Sequence, residues 1–191
     1  MIYTLSSEMA RKYELRRRAR LVEETRRRIV EATASLHEEV GPARTTVAAI
    51  AERAGVSRPT VYNQFPDDRS LFAACGALFT ERSPLPALSG LELEEALLAL
   101  YRYYRGNERM LAQVEQDAPS LPALGGVLEL MRRPIAAAVE EQAERAGARS
   151  PAATAVLGLS FGFPTWQALA RAGLDDAEAA RLMARLVACA V

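Results

Sequence analysis

One histidine, two cysteines and few aromatic side chains leave little for catalysis or metal binding in a chain of 191 residues. His37 stands beside Leu36 in a helical stretch, where it reads as an exposed side chain rather than a catalytic one. No nucleophile motif, phosphate-binding loop or metal-ligand spacing occurs, which argues against an enzyme and calls for no cofactor and no metal. Cys75 and Cys189 lie far apart and match no redox motif, so both are expected to be buried thiols in a reducing cytoplasm. The N-terminal basic residues have no apolar run beside them, so a secretory signal is not expected. Residues 150–170 carry no charge, but Pro151, Gly158, Gly162 and Pro164 interrupt them, and Ser150, Thr154, Ser160, Thr165 and Gln167 add polarity. A helix covered by protein fits that stretch better than a membrane span. Scarce β-branched and aromatic runs in a chain rich in Ala, Leu and charge disfavour sheet and favour an all-α fold.

Net charge is absent as well, yet the zero sum hides an uneven distribution. Residues 1–30 hold nine basic side chains (Arg11, Lys12, Arg16, Arg17, Arg18, Arg20, Arg26, Arg27 and Arg28) against Glu8, Glu14, Glu23 and Glu24, a net of +5. Residues 1–70 together carry +3 and residues 71–191 carry −3. Residues 1–20 are therefore read as a basic arm or helix extension. A solvated helix face and a tail that neutralises phosphates both fit, because Glu14, Glu23 and Glu24 can form i,i+4 pairs with nearby arginines.

A first helix, capped by Ser6 or Ser7, is expected to run without interruption to Gly41-Pro42, with Ile29, Ala32, Leu36 and Val40 as its core stripe. Short segments follow: a helix capped by Thr46, a turn at Gly55, a helix capped by Ser57, and another after Pro66-Asp67. Longer helices are expected over 92–105, 107–117, 122–146, 151–172 and 175–189, with Pro134 kinking or splitting the third of these. The resulting division is a basic arm at 1–20, a head at 21–80 and a larger helical domain at 81–191.

Thr46 to Phe65 reads as two short helices meeting at a sharp angle. Ile50, Ala54, Val56, Val61 and Phe65 point to a shared core, and the small Ala51 permits close approach. Gly55 supplies the left-handed conformation that ends the first helix, Ser57 caps the second, and Pro59 sits in its first turn, where a missing N–H costs little. Arg58, Pro59, Thr60, Tyr62, Asn63 and Gln64 remain outward, a face without acidic side chains that suits the major groove of a duplex.

The run Thr45-Thr46-Val47-Ala48-Ala49-Ile50-Ala51, continued by Ala54-Gly55-Val56-Ser57-Arg58, Val61-Tyr62 and Phe65-Pro66-Asp67, resembles the DNA-binding head of TetR family regulators. The resemblance implies a homodimer, each subunit placing the helix from Ser57 to Gln64 in one half-site of a palindromic operator in double-stranded DNA. It further implies a repressor released by a small-molecule effector. On this likeness Thr46, Ser57 and Tyr62 contact phosphates; Arg58, Pro59, Thr60 and Asn63 face bases; Gln64 can do either. The family often has Lys three residues after the Phe; here that position is Asp68, with Arg69 next as a substitute. Pro59 stands where Gly is frequent and offers a ring to a thymine methyl.

In the larger domain, Tyr101, Tyr103 and Tyr104 form one aromatic cluster and Phe161, Phe163 and Trp166 another. Tyr101, Tyr104, Met110, Phe161 and Trp166 are candidates to line a ligand pocket between helices, although each also suits a helical core. The last two helices carry Leu157, Phe161, Leu169, Leu182, Leu186 and Val187 at helical spacing, a candidate dimer interface. Their Thr165-Trp166-Gln167-Ala168-Leu169 and Gly173-Leu174-Asp175-Asp176-Ala177-Glu178 resemble the closing helices of TetR-like proteins. A helix-turn-helix module that binds a protein, and a thiol-based redox regulator using Cys75 or Cys189, are the alternatives.

Overall fold

The computed structural model describes residues 3–148 and 150–190. Met1 and Ile2 of the arm, Arg149, and Val191 of the closing helix lie outside the described residues. The chain is all-α: α1 (Tyr3–Val40), α2 (Val47–Ala54), α3 (Arg58–Gln64), α4 (Asp68–Arg82), α5 (Leu93–Gly106), α6 (Glu108–Asp117), α7 (Pro122–Ala146), α8 (Pro151–Ser160), α9 (Phe163–Arg171) and α10 (Asp176–Ala190), with no strand among the described residues. Two compact units emerge, residues 1–78 and 79–191, the division falling within α4.

Nothing between Tyr3 and Val40 breaks a helix, and α1 begins upstream of Ser6 and Ser7, which lie inside it rather than capping it. It ends where Gly41 turns to a φ of 88°. Ile29, Val30, Ala32 and Leu36 of α1 pack with Ile50, Ala51 and Ala54 of α2, Val61 and Phe65 of the α3 segment, and Leu71 and Cys75 of α4. Thr33 is buried among them, its hydroxyl donating to the Ile29 carbonyl at 2.7 Å. The expected exposure of His37 does not hold: it is buried, with its ring centroid 5.5 Å from that of Phe72. Position 37 is one step along the helix from Leu36 and four from Thr33, so it shares the core face, and α4 supplies the ring that covers it.

The second unit is built around α5, whose Ala96, Leu97, Leu100, Tyr101 and Tyr104 are buried against residues of α7, α8, α9 and α10. Helix α7 runs continuously through Pro134 for 25 residues, neither split nor interrupted. The single helix expected over 151–172 is instead two, α8 and α9, separated at Phe161-Gly162. Gly162 donates to the Leu159 carbonyl at 3.0 Å, and Pro164 then occupies the first turn of α9, where the lack of an N–H costs nothing. A Cβ at Gly162 would lie 3.2 Å from the Leu159 carbonyl oxygen, a tight approach that a bare glycine avoids. Cys75 is buried as expected, whereas Cys189 is exposed because it lies on the side of α10 opposite Ala180, Met183 and Val187.

Candidate nucleic-acid interface

The corner between α2 and α3 is built from local chemistry. Thr46 Oγ1 accepts from the Ala49 N–H at 3.2 Å at the start of α2. Gly55, at φ 64° and ψ 41°, closes the other end, with its N–H bonded to the Glu52 carbonyl at 3.2 Å and the Val56 N–H to Ala51 at 2.9 Å. These paired bonds satisfy carbonyls that a helix end would otherwise leave bare. Ser57 Oγ then accepts from the Thr60 N–H at 3.2 Å and lies 2.8 Å from Thr60 Oγ1. Pro59 falls in the first turn of α3.

Burial divides α3 cleanly. Val61 is 2 % exposed and Phe65 3 %, while Tyr62 is 57 % exposed. Arg58, Pro59 and Asn63 are exposed with it, and Thr60 and Gln64 are half-buried at the margins. Thr46 and Ser57 are exposed as well, each with its side-chain oxygen serving as a cap acceptor. Of the eight residues singled out in the sequence, seven thus lie on α3 or at its cap, and Thr46 caps the far end of α2.

Two arginines hold this corner, and the sequence reading had not given either a role. Arg26 of α1 donates from Nη1 to the Gln64 carbonyl at 2.8 Å and places its guanidinium 4.0 Å from the centre of the Phe65 ring. It therefore satisfies a carbonyl in the last turn of α3 and stacks on the residue that ends that helix. Arg53 of α2 grips Glu39 of α1 through both nitrogens, at 2.5 and 2.9 Å, and reaches Ser35 Oγ at 3.0 Å. The signal available for Arg26 was its place one turn before Ile29, at the edge of the core stripe. Asp68 and Arg69 are both exposed in the first turn of α4, whose cap is Asp67, bonded to the Ser70 N–H at 2.7 Å. The Ser70 backbone and side-chain hydrogen bonds hold the Asp67 carboxyl below its ordinary pKa.

In the second unit, Tyr101, Tyr104, Phe161 and Trp166 converge, but in a filled core: each is at most 4 % exposed. Tyr101 Oη donates to the Ser160 carbonyl at 2.7 Å and Tyr104 Oη to the Phe161 carbonyl at 2.6 Å, so the two phenols hold the break between α8 and α9. Burial pushes both phenols well above the ordinary tyrosine pKa. Tyr104 also meets Phe163 edge-on at 5.4 Å, and Phe163 lies 5.5 Å from Trp166. Met110 is half-buried and stands outside this cluster. An open groove of about 450 Å³ lies elsewhere, lined by Ala172, Gly173, Leu174, Glu178, Arg181, Leu182 and Arg185.

The expected interface stripe of the closing helices is also divided. Leu157, Phe161 and Val187 are core residues, 0 to 2 % exposed, because α8 and α10 pack on each other and on α5. Leu169 and Leu182 are half-buried, and Leu186 remains 47 % exposed.

Among the described residues no group of three or more His, Cys, Asp or Glu side chains is placed to hold a metal. No helix among them is long and apolar enough to cross a membrane.

A buried two-helix corner that presents a short helix with a polar outer face defines a helix-turn-helix head on an all-helical protein. Residues 29–75 match the family described as bacterial regulatory proteins, tetR family. An uncharacterised HTH-type transcriptional regulator of Mycobacterium tuberculosis, and another of Mycobacterium bovis, are each 55 % identical over 47 residues, 25 % of this chain and 25 % of theirs. The chain's match thus spans about a quarter of the length of these curated relatives. A TetR-like transcriptional regulator from Rhodococcus sp. RHA1 shares the fold at a TM-score of 0.58 and 21 % identity, over 85 % of this chain and 93 % of that one. The multidrug binding protein EbrR, solved with imidazole, does so at 0.54 and 23 %, over 84 % and 88 %. The similarity to the tetR family of bacterial regulatory proteins thus lies in the head, over residues 29–75, and the solved structures extend it to the all-helical fold.

Proposed function

We propose that this protein is a homodimeric transcriptional repressor, working in the cytoplasm, whose α3 helix reads a half-site of a palindromic operator and whose second unit binds a small-molecule effector that releases the DNA. The observation that carries the reading is the division of α3: Val61 is sunk in the core while Arg58, Pro59, Tyr62 and Asn63 stand outward with no acidic neighbour on the helix. A seven-residue rod fixed at both ends, by the Ser57 cap and by Arg26, enters a major groove as a rigid body, without an ordering cost. Thr46, Ser57 and Tyr62 suit phosphate oxygens as hydroxyl donors. Arg58 and Asn63 suit the edges of guanine and adenine, Thr60 and Pro59 suit a thymine methyl, and Gln64 suits either base or phosphate. Arg69 takes the phosphate role that Asp68 leaves open.

Dimerisation through the closing helices is supported by what α8 and α10 leave uncovered. Leu159 is 62 % exposed and Leu186 47 %, with Ala152 and Ala155 exposed on α8 and Leu182 half-buried on α10. Effector binding is supported by the aromatic cluster of Tyr101, Tyr104, Phe161 and Trp166. A ligand enters that filled cluster by displacing the two phenol bonds at the α8–α9 break, and the energy it gains there shifts the spacing of the two heads. A thiol-based mechanism at Cys75 loses support because burial holds its thiol protonated, with its pKa pushed up to about 12.

Selection of bound sequences from a random duplex pool tests the reading. A palindrome whose half-sites lie about one helical turn apart, or a small multiple of it, is expected. Recovery of no enriched sequence would overturn it.

A further inference from the structure

Helix α1 continues far beyond the head that it helps to build. Its first core residue is Ile29, yet the helix extends back to Tyr3, and every residue from 11 to 24 is exposed. Arg11, Lys12, Arg16, Arg17, Arg18 and Arg20 face only Glu14 within residues 11–20, a net of five positive charges. None of those side chains makes an ion pair or hydrogen bond among the described residues, and the i,i+4 pairs open to Glu14, Glu23 and Glu24 are not formed. The nearest ion pair on the helix is Arg27 with Glu31.

At about 100° per residue these six cations fall on all sides of the rod. The exposed apolar side chains do not gather on one face either: Leu15 and Val22 lie on one side, Tyr13 and Leu21 on the other. A helix that embeds in a bilayer needs an apolar side, which residues 11–24 lack. A rod that is cationic all round, with its charges uncompensated by its own fold, complements a polyanion that offers charge on more than one side.

Position selects which polyanion. Arg26 ties α1 to the C-terminal end of α3 through the Gln64 carbonyl and the Phe65 ring. From that tie, Arg20 lies about 9 Å and Arg11 about 22 Å further along the helix axis. This span matches about three to seven base pairs at 3.4 Å each, beginning beside the reading helix. We infer that the N-terminal extension of α1 is a second DNA-contacting element, which grips the phosphates flanking each half-site and lengthens the footprint beyond what α3 covers. The inference rests on the operator-binding reading above.

The test compares the full chain with a variant carrying Arg16→Gln, Arg17→Gln, Arg18→Gln and Arg20→Gln, exposed side chains outside the head core, so that the folded head is retained. Two duplexes serve as probes, both built on the sequence recovered from the random pool, one ending at the half-sites and one with flanks of about ten base pairs on each side. The full chain is expected to bind the flanked duplex at least tenfold more tightly than the short one, and the variant to bind both alike. The slope of log K against log salt on the flanked duplex is expected to be shallower in the variant by about two to four per protomer. Equal slopes and equal flank dependence in the two proteins would overturn the inference while leaving the operator reading intact. A full chain that binds neither duplex would remove both, and so would charge-dependent binding to phosphatidylserine vesicles with no binding to duplex.

Discussion

Cys75 shows how far the surroundings of one side chain decide its chemistry. The Cys75 thiol lies in the head core, 3.9 Å from the Val30 carbonyl, and its pKa is pushed up to about 12 by burial. Thiolate, the nucleophile, is then nearly absent at neutral pH. Iodoacetamide is expected to leave Cys75 unmodified in the folded protein and to label it only after denaturation, as read by mass spectrometry of the tryptic peptides. Rapid labelling of Cys75 in the native state would revive a thiol-based mechanism. Asp176 shows the opposite balance. Burial alone would raise its pKa, but hydrogen bonds from Arg105 and Trp166, with the charges of Arg105 and Arg102, outweigh burial and hold the carboxyl below its ordinary value. Arg105 Nε lies 2.9 Å from both carboxylate oxygens and Trp166 Nε1 lies 3.0 Å from one. A depressed folded pKa means stability that is fully present above the unfolded value of 3.8 and is lost as pH falls through the lower folded value. Asp176→Asn is expected to cost about 1–3 kcal/mol at neutral pH, with the difference from wild type shrinking below about pH 4. Trp166 is the chain's single tryptophan, so its emission during urea unfolding reads both effects.

Elements respond to sequence over longer reach, and their legibility follows that reach. The helix-turn-helix was readable because its signals are local: Thr46, Gly55 and Ser57 cap or end helices through atoms no more than five residues away. The break between α8 and α9 was written in Gly162 and Pro164, but an uncharged stretch reads equally as one buried helix until the Tyr101 and Tyr104 hydroxyls that hold the break are in view. His37 was misread for the same reason, since the ring that covers it belongs to Phe72 on another helix. Pro134 sits within a continuous α7 on its exposed side, where it removes one N–H from the helix ladder. Pro134→Ala is expected to raise stability by about 1–3 kcal/mol, restoring the bond at a small entropic loss from the freer unfolded chain. A lower melting temperature would mean that the proline itself is required by the packing of α7. Within α3, exposed Tyr62 and Asn63 are expected to separate by role. Tyr62→Phe should weaken all duplexes by a similar factor, whereas Asn63→Ala should cost about 1–3 kcal/mol on the selected operator and relax preference at one base position. Identical effects of the two changes across a panel of single-base operator variants would contradict the assignment.

On the scale of the whole molecule, the sequence pattern announced that the closing helices are amphipathic but not which of their faces is spoken for. Leu157, Phe161 and Val187 serve the core of their own unit, so a partner is left with the other side of α10, where Leu182, Leu186 and Cys189 follow one another at helical spacing beside Arg181 and Arg185. In the proposed dimer that face decides the affinity of the assembly, because each head alone reads one half-site. In a dimer, binding of the first head holds the second near its own half-site, and the gain from such linkage is typically about 10²- to 10⁴-fold without any new contact to DNA. Leu186→Glu places a charge on the exposed face and removes nothing from the core. Light scattering is expected to show a monomer with unchanged helical circular dichroism. On the full palindrome its affinity should fall by about a hundredfold or more, and on a single half-site it should match wild type. A Leu186→Glu protein that stayed dimeric and bound the palindrome at full strength would move the interface away from α10, to the exposed Leu159 side of α8 alone.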